Sequence, residues 1–492
     1  MKRLLLPLLL LCSVFSMAAT AGRTFTVRAP QFANSDAIIA GYLADKIYSH
    51  DTIHLNDKGY GQVSLPDKLD EGLYLLFFNA SRYYEFLLCE NQNLELSVSD
   101  TTKNAIESFS VHGDPQSEAF INFGVFITQK RTVQADLLNK RRELPENSKQ
   151  RQKLTEQIDQ LNKQVEDYQQ DLIRRFDGRT LGLFVKALIE PKFPAELLNS
   201  DTTQAMRLRR YEYAKQHFFD NYNLADPRSW RFNQLHRKLD QFLNKTLVQI
   251  PDSITPAAID LIERSRPDSV CFDIMTNRII DYSVKSKIMG MDMLFAQIAE
   301  RYYLTHLAYW TDSTLQSNVE SEYRKVRFNQ LGMTAANLPL RLRDNRQLFL
   351  HDVKAPLTLL FFYEPTCGHC QKMTPLVHDI FTRWHDKGFQ VVAVYLLQDT
   401  KEWDDFMKNN NLYDWINVWD PQRESYYWTF FDTSSTPGLY LLDADKKIIA
   451  KKIDAPTLEN IVRFKLVDEP AGRPFHSTIH SGEDELPIDL GK

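Results

Sequence analysis

The sequence predicts a multidomain α+β protein with an N-terminal antiparallel β domain, a helical middle region and a C-terminal α/β domain. Three observations carry that expectation. The chain has 492 residues, 43% apolar and 25% charged, enough for about three or four folded cores. Short alternating apolar segments, separated by Gly, Asp, Asn and Pro, fill residues 23–112. Helical spacing takes over after residue 115, and strand-like apolar runs return after residue 330.

The resulting divisions are 1–21 signal peptide, 22–115 β-rich sandwich-like domain, 116–178 helical hairpin or connector, 179–330 helical domain, 331–470 α/β domain and 471–492 C-terminal tail. In the first segment Lys2 and Arg3 precede the apolar run "LLLPLLLLCSVFS", and small residues Ala19–Ala21 offer a cleavage site. The run is short for a bilayer span of about 20 residues. Export to the periplasm or cell envelope is therefore expected, with the mature chain starting near Gly22. Loss of Lys2 and Arg3 takes the formal charge from -5 to -7. A mildly acidic chain without a basic stripe argues against nucleic acid as a partner. A membrane-associated partner is compatible with the envelope location.

In the β domain the segments are "TFTVRA", "AIIAGYLA", "DTIHLN", "GQVSLP", "GLYLLFFN" and "LELSVS". Tyr74, Phe77, Phe78, Tyr83, Tyr84 and Phe86 read as core and cross-strand packing rather than a ligand surface. Recognition or spacing is the expected role of this domain. Past "VHGDPQSEAF", residues 117–143 favour a helix, and Pro145 can turn the chain. Leu154, Ile158, Leu161, Val165, Tyr168 and Leu172 then recur at separations of 4, 3, 4, 3 and 4, one narrow seam suited to a hairpin or to another subunit. From 180 to 330, "LGLFVKALIE", "TQAMRLRRYEYAKQHFFD", "SWRFNQLHRKLDQFLNKTL" and "MDMLFAQIAERYYLTHLAYW" are candidate helices, with Pro191, Pro194, Pro227, Pro251, Pro256 and Pro267 expected to interrupt the run. An isolated His306 is a poor metal ligand.

The C-terminal region reads as a β-hairpin from "NLPLRL" and "LFLHDV", strand "LTLLFFY", a helix starting around Cys367, strand "FQVVAVYL", helix "KEWDDFMKN", strands "PGLYLLD" and "KIIAKKI", and a last helix near Pro456. Its chemistry sits in "EPTCGHCQKM". Four cysteines remain beyond the signal segment; Cys89 and Cys271 lie in apolar surroundings and read as buried side chains. Cys367 and Cys370 fall on the first turn of a helix, where unpaired N–H groups and the positive dipole end stabilise a thiolate. The first sulfur can then open a partner disulfide and the second can resolve the mixed disulfide. Structural zinc fits poorly, because no second CxxC or histidine cluster completes four ligands; an inert disulfide is the other alternative. No metal and no cofactor are called for. His369 between the cysteines is a candidate for redox tuning, as is Glu364, and Thr436 with Pro437 opens a strand where a cis peptide could expose backbone polar groups beside the dithiol.

These features together resemble the thioredoxin superfamily, in particular exported TlpA-like thiol:disulfide oxidoreductases, over residues 331–466. The resemblance implies a thioredoxin-like α/β fold, with Cys367 attacking, Cys370 resolving, Pro437 cis and touching substrate, and Pro375 bending the active-site helix. Two positions depart from it: Phe361 stands where thioredoxin commonly has a buried Asp, and Met373 where many TlpA-like proteins have a Glu. The upstream arrangement is similar to multidomain Bacteroidetes-type envelope proteins. The implied function is reduction of envelope protein disulfides, with protein thiols or disulfides as clients and an upstream thiol-redox partner as the source of electrons. The alternatives are a disulfide oxidant or isomerase, and a binding or scaffold protein with a weakly active redox domain. Trp403, Asp399, Trp415, Trp419, Tyr426 and Tyr427 read mostly as packing residues near that site.

Overall fold

A computed structural model describes residues 23–65, 67–99 and 105–469. The expected signal segment and the tail 471–492 lie outside the described residues. The described chain divides into two compact units, one running up to Lys192 and including His217–Lys238, the other comprising Phe193–Gln216 and the chain from Leu239 onward.

In the first unit eight strands form two sheets. They are β1 (Arg23–Arg28), β2 (Asp36–Leu43), β3 (Lys46–His54), β4 (Tyr60–Leu65), β5 (Gly72–Asn79), β6 (Arg82–Leu88), β7 (Leu94–Val98) and β8 (Phe109–His112). The sheet orders are β4-β1-β7-β8 and β3-β2-β5-β6. Alternation sends Phe25, Val27, Leu76, Phe86 and Leu96 into one shared core. One pairing departs from the antiparallel expectation: β1 runs parallel to β7, with Phe25 opposite Leu94. No hairpin joins these distant strands, so burial of their apolar faces decides the pairing. Of the aromatic residues, Tyr74, Tyr84 and Phe86 are buried, Phe77 and Phe78 half-buried, and Tyr83 exposed.

The step from sheet to helix is dictated by "GDP". Gly113 has φ 113°, and a Cβ there would come within 2.3 Å of the Asn93 carbonyl oxygen. Asp114 then accepts hydrogen bonds from the N–H groups of Gln116 (2.9 Å) and Ser117 (3.0 Å), and Pro115 opens α1 (Pro115–Arg142) where its missing N–H is harmless. A turn at Pro145 leads to α2 (Lys149–Arg175), which folds back antiparallel: Lys130 Nζ donates to Gln164 Oε1 at 2.6 Å and Gln134 Nε2 to Asn162 Oδ1 at 2.8 Å. Tyr168 of the seam packs on Phe126, with ring centroids 4.7 Å apart. The helix α3 (Thr180–Ala187) follows.

The chain continues through α4 (Gln204–His217), α5 (Asn233–Gln241), α6 (Pro251–Ser265), α7 (Ser269–Lys285), α8 (Asp292–Ile298) and α9 (Ser313–Val326). One expected break behaves differently. Pro251 interrupts the run as expected, opening α6 after a non-helical stretch, but Pro256 stays inside that helix. The buried face of Ile254, Ala258, Leu261 and Ile262 holds that helix together despite the proline. Among the described residues no helix is long and apolar enough to cross a membrane.

The C-terminal α/β domain contains β9 (Pro339–Leu342), β10 (Gln347–Phe349), β11 (Leu357–Tyr363), α10 (Gly368–Trp384), β12 (Phe389–Tyr395), α11 (Thr400–Asn409), β13 (Ile416–Trp419), α12 (Tyr427–Phe430), β14 (Gly438–Leu442), β15 (Ile448–Lys451) and α13 (Ala455–Arg463). Its seven-stranded sheet has the order β10-β9-β13-β12-β11-β14-β15. β11 lies inside it, parallel to β12 and antiparallel to β14, and all seven of its side chains are buried. That explains a continuous apolar run in place of alternation. Leu359, Phe361 and Tyr363 share a core with α10, while Leu360 and Phe362 face a second core with Tyr440 and Val418.

Candidate active site

The strand β11 aims its carboxyl end at the dithiol. Cys367 is the N-cap of α10, with φ −74° and ψ 115°, and its Sγ accepts the Cys370 N–H at 3.3 Å. Across the site the Cys367 thiol donates to the Thr436 carbonyl oxygen at 3.2 Å. The Thr436–Pro437 peptide is cis. Cys367 is partly exposed, Cys370 fully buried, and both are free thiols.

This placement splits the two sulfurs chemically. Burial pushes the Cys367 thiol up, but hydrogen bonds from the Thr436 and Cys370 side chains and from the Cys370 and His369 backbone outweigh it, so the net displacement is downward. The contact with the Thr436 carbonyl favours the protonated thiol and opposes this trend without reversing it. Burial dominates at Cys370 and pushes it up to about 12, aided by the neighbouring Cys367 and offset in part by the Glu364 backbone and the Thr436 side chain. One sulfur is thus partly exposed and shifted toward the thiolate, the other buried and held protonated behind it.

The remaining sequence-predicted residues fall around this pair. His369 is exposed, and what it brings to the Cys367 sulfur is its backbone N–H. Glu364 is half-buried; its carbonyl oxygen accepts from the Cys367 N–H at 3.1 Å. Pro375 lies inside α10 on its exposed side. Phe361, fully buried, packs against Tyr363 with centroids 5.7 Å apart, and Met373, like Cys367, packs against the core that includes Cys370. A groove of about 600 Å³ beside the dithiol is lined by His369, Met373, Leu376, Thr436 and Pro437, among others. Of the surrounding aromatics, Trp403 and Trp415 are buried, Trp419 and Tyr427 half-buried and Tyr426 exposed, while Asp399 caps α11.

Two features were missed in the sequence. Tyr363 is fully buried with its hydroxyl accepting from Trp403 Nε1 at 2.9 Å, and burial, with a contribution from Cys370, keeps its phenol protonated. It is the protic side chain on the Cys370-bearing face of β11, two residues beyond the carboxylate position now held by Phe361. The second is Asp432, which organises the loop leading to Thr436. No local pattern marks either, because each depends on a partner distant in sequence. Elsewhere, Cys89 and Cys271 are fully buried, and neither is in a disulfide. Among the described residues no group of three or more His, Cys, Asp or Glu side chains could hold a metal ion.

Comparison with known proteins bears on this geometry. Residues 356–448 match a family model described as thioredoxin-like. The chain is similar, at 21% identity over 132 residues, to the thiol-disulfide oxidoreductase ResA of Bacillus cereus, covering 27% of this chain and 75% of that protein. Among solved structures, it is similar at 34% identity to a domain of a possible thiol-disulfide isomerase from Cytophaga hutchinsonii, over 29% of this chain and 94% of that one, with a TM-score of 0.27. A thioredoxin-like protein from Bacteroides caccae matches 56% of this chain and 98% of its own at 18% identity, with a TM-score of 0.43. Residues 356–448 thus lie in a thioredoxin-like domain, homologous at low identity to the thiol-disulfide oxidoreductase ResA.

Proposed function

We propose that this chain is an exported protein thiol:disulfide oxidoreductase that reduces disulfides of envelope proteins through Cys367 and Cys370, within a redox domain spanning residues 331–470. The observation that carries the reading is the division of labour between the sulfurs: Cys367 is partly exposed and displaced toward the thiolate, and Cys370 is buried and protonated behind it. The Cys367 thiolate attacks one sulfur of a client disulfide, forming a mixed disulfide and releasing the other client sulfur as a thiolate. Cys370 gives up its proton, which that released thiolate can take, and attacks the Cys367 sulfur. The Cys367–Cys370 disulfide forms, and the second client sulfur leaves as a thiolate that solvent protonates. Two electrons pass from the dithiol to the client, and a partner dithiol restores the reduced state. The reverse sequence, starting from the Cys367–Cys370 disulfide, donates a disulfide, and the reduction potential of the pair decides which direction prevails.

Thr436 and Pro437 are assigned to client contact, since they border both the Cys367 sulfur and the groove. The upstream β and helical domains are assigned to recognition or spacing. Equilibration of the purified protein in defined glutathione buffers, followed by trapping of free thiols, tests the assignment. A Cys367 and Cys370 pair that cycles, and a C370S variant that accumulates mixed disulfide, are the expected results. A pair that stays reduced in every buffer would overturn it, and the measured potential separates reductant from oxidant.

A further inference from the structure

The loop Asp432–Pro437 delivers Thr436 to the Cys367 sulfur, yet its fixing points lie away from the dithiol. Asp432 Oδ1 accepts from the Ser434 N–H (3.2 Å) and hydroxyl (2.5 Å), and its Oδ2 accepts from Lys452 Nζ at 2.8 Å. The Asp432 N–H donates to the Tyr440 hydroxyl at 2.9 Å. Lys452 stands just past the end of β15, where its own N–H donates to the Leu439 carbonyl oxygen at 3.0 Å. The ion pair therefore closes the loop onto the neighbouring strand.

Both sides of that pair are anchored by one buried side chain from the end of the preceding helical segment. Asn329, 1% exposed, donates through Nδ2 to the Phe430 carbonyl oxygen at 2.9 Å, two residues before Asp432. Its carbonyl oxygen (2.8 Å) and Oδ1 (2.9 Å) accept from Lys451 Nζ, one residue before Lys452. Lys451 is 3% exposed and also pairs with Asp292 of α8. A buried ammonium satisfied on three sides makes a rigid brace, since losing a partner would leave a charge without solvent. Around Asp432 the charged groups are Lys452, Lys451 and Lys325; around the groove they are Lys372, His369, Lys452, Asp432 and Asp454.

We propose that Asp432 and Lys452 are positioning residues for the dithiol: their ion pair, braced by Asn329, holds Thr436 against the Cys367 sulfur. The inference rests on reading Cys367 as the attacking sulfur. Breaking either half of the pair slackens the loop and loosens both contacts of Thr436 with that sulfur, the side-chain hydrogen bond that favours the thiolate and the carbonyl contact that opposes it. The side chain has the larger effect, so less thiolate is left at neutral pH. Simple electrostatics predicts something else. Removing the Asp432 charge would favour the thiolate, removing the Lys452 charge would disfavour it, and the two changes together would cancel.

The test is the pH dependence of Cys367 alkylation by iodoacetamide, followed by mass spectrometry, in C370S protein and in the same protein carrying D432N, K452M, both, or K452R. The expected result is that D432N and K452M both shift the profile upward and slow alkylation at pH 7 by roughly three- to tenfold, the change in thiolate fraction for half to one pKa unit. The double variant should be no slower than the slower single one, and K452R should stay near the parent. Opposite shifts that cancel, or profiles that do not move, overturn the clamp. K452M shifts upward on either account, so if D432N does not fold it is read against the parent at low and high salt. The Lys452 side chain is 59% exposed, so a mere charge effect is screened away: a shift that survives salt is the clamp's, whereas one that vanishes overturns it. A parent Cys367 that titrates as an ordinary cysteine would defeat the catalytic reading itself; a low parent value with unmoved variants defeats only the clamp.

Discussion

Of the helix N-termini that lie beside a cysteine, those of α1 and α10 treat it in opposite ways. At α1 the cap is Asp114, whose carboxylate takes the N–H groups of Gln116 and Ser117. Cys89 nearby is fully buried, and burial, followed by the charges of Asp114 and Glu71, pushes its thiol well up. At α10 the cap is a sulfur, and against the upward push of burial the N–H groups that an aspartate would claim help shift Cys367 toward the thiolate. A helix end does not activate a thiol by itself. What occupies its first-turn donors decides whether the neighbouring sulfur is quieted or charged.

The strongest way to break that contrast is to remove each sulfur in turn. C367S should lower insulin reduction, supplied with a suitable thiol, by more than about 1000-fold, because no nucleophile remains to form the mixed disulfide. C89A should leave turnover within about twofold and cost roughly 1–2 kcal/mol of stability in denaturant melts, the effect of a small core vacancy. Comparable losses of turnover in both variants would erase the distinction.

Chemical labelling sharpens it without mutation. In the native reduced protein at pH 7, iodoacetamide should modify Cys367 at least about 100-fold faster than Cys89, read peptide by peptide, since only a thiolate that reagent can reach reacts. Equal rates would show the burial of Cys89 to be transient in solution.

Alkaline pH probes the same contrast through stability. Cys89 and Cys370 have folded values raised above the unfolded one, so their contribution is present below the unfolded pKa and lost as pH rises. Above about pH 8.5 the unfolded chain ionises first, and stability should fall by up to about 1.4 kcal/mol per pH unit for each such thiol. C89A should flatten that slope by one thiol's share. Cys367 has the opposite sign: its contribution is present above the unfolded pKa and is lost as pH falls through its depressed folded value. The smallest effect is expected from D114S, which keeps a cap but removes the charge. Stability should change by less than about 1 kcal/mol, while the alkaline loss due to Cys89 sets in at the same pH but levels off sooner and is smaller in total.

How much of this was legible along the chain varies with the distance over which each feature is built. "LTLLFFY" reads as an inner strand because both its faces are covered, and "CGHC" places two sulfurs on one helical turn without help from elsewhere. The seam from Leu154 to Leu172 is likewise local. β13 escaped notice because four residues are too few to show a period, and Pro256 misled because a buried helix face outweighs the cost of a proline. Asp432 and Lys452 are 20 residues apart and meet only once β14 and β15 pair; Tyr363 and Trp403 are 40 apart and meet across the sheet's α10 side. Such contacts exist only in the assembled fold.

The first strand carries a consequence for assembly. β1 lies between β4 and β7, whose last residues are Leu65 and Val98. A chain emerging amino end first therefore presents a strand long before either neighbour exists, with Phe25 and Val27 lacking the apolar layer they will finally join. That sheet grows outward from β1: β4 can join once Leu65 is made, but the other edge of β1 stays unpaired until β7 follows, and in that interval it is the edge most in need of protection from aggregation.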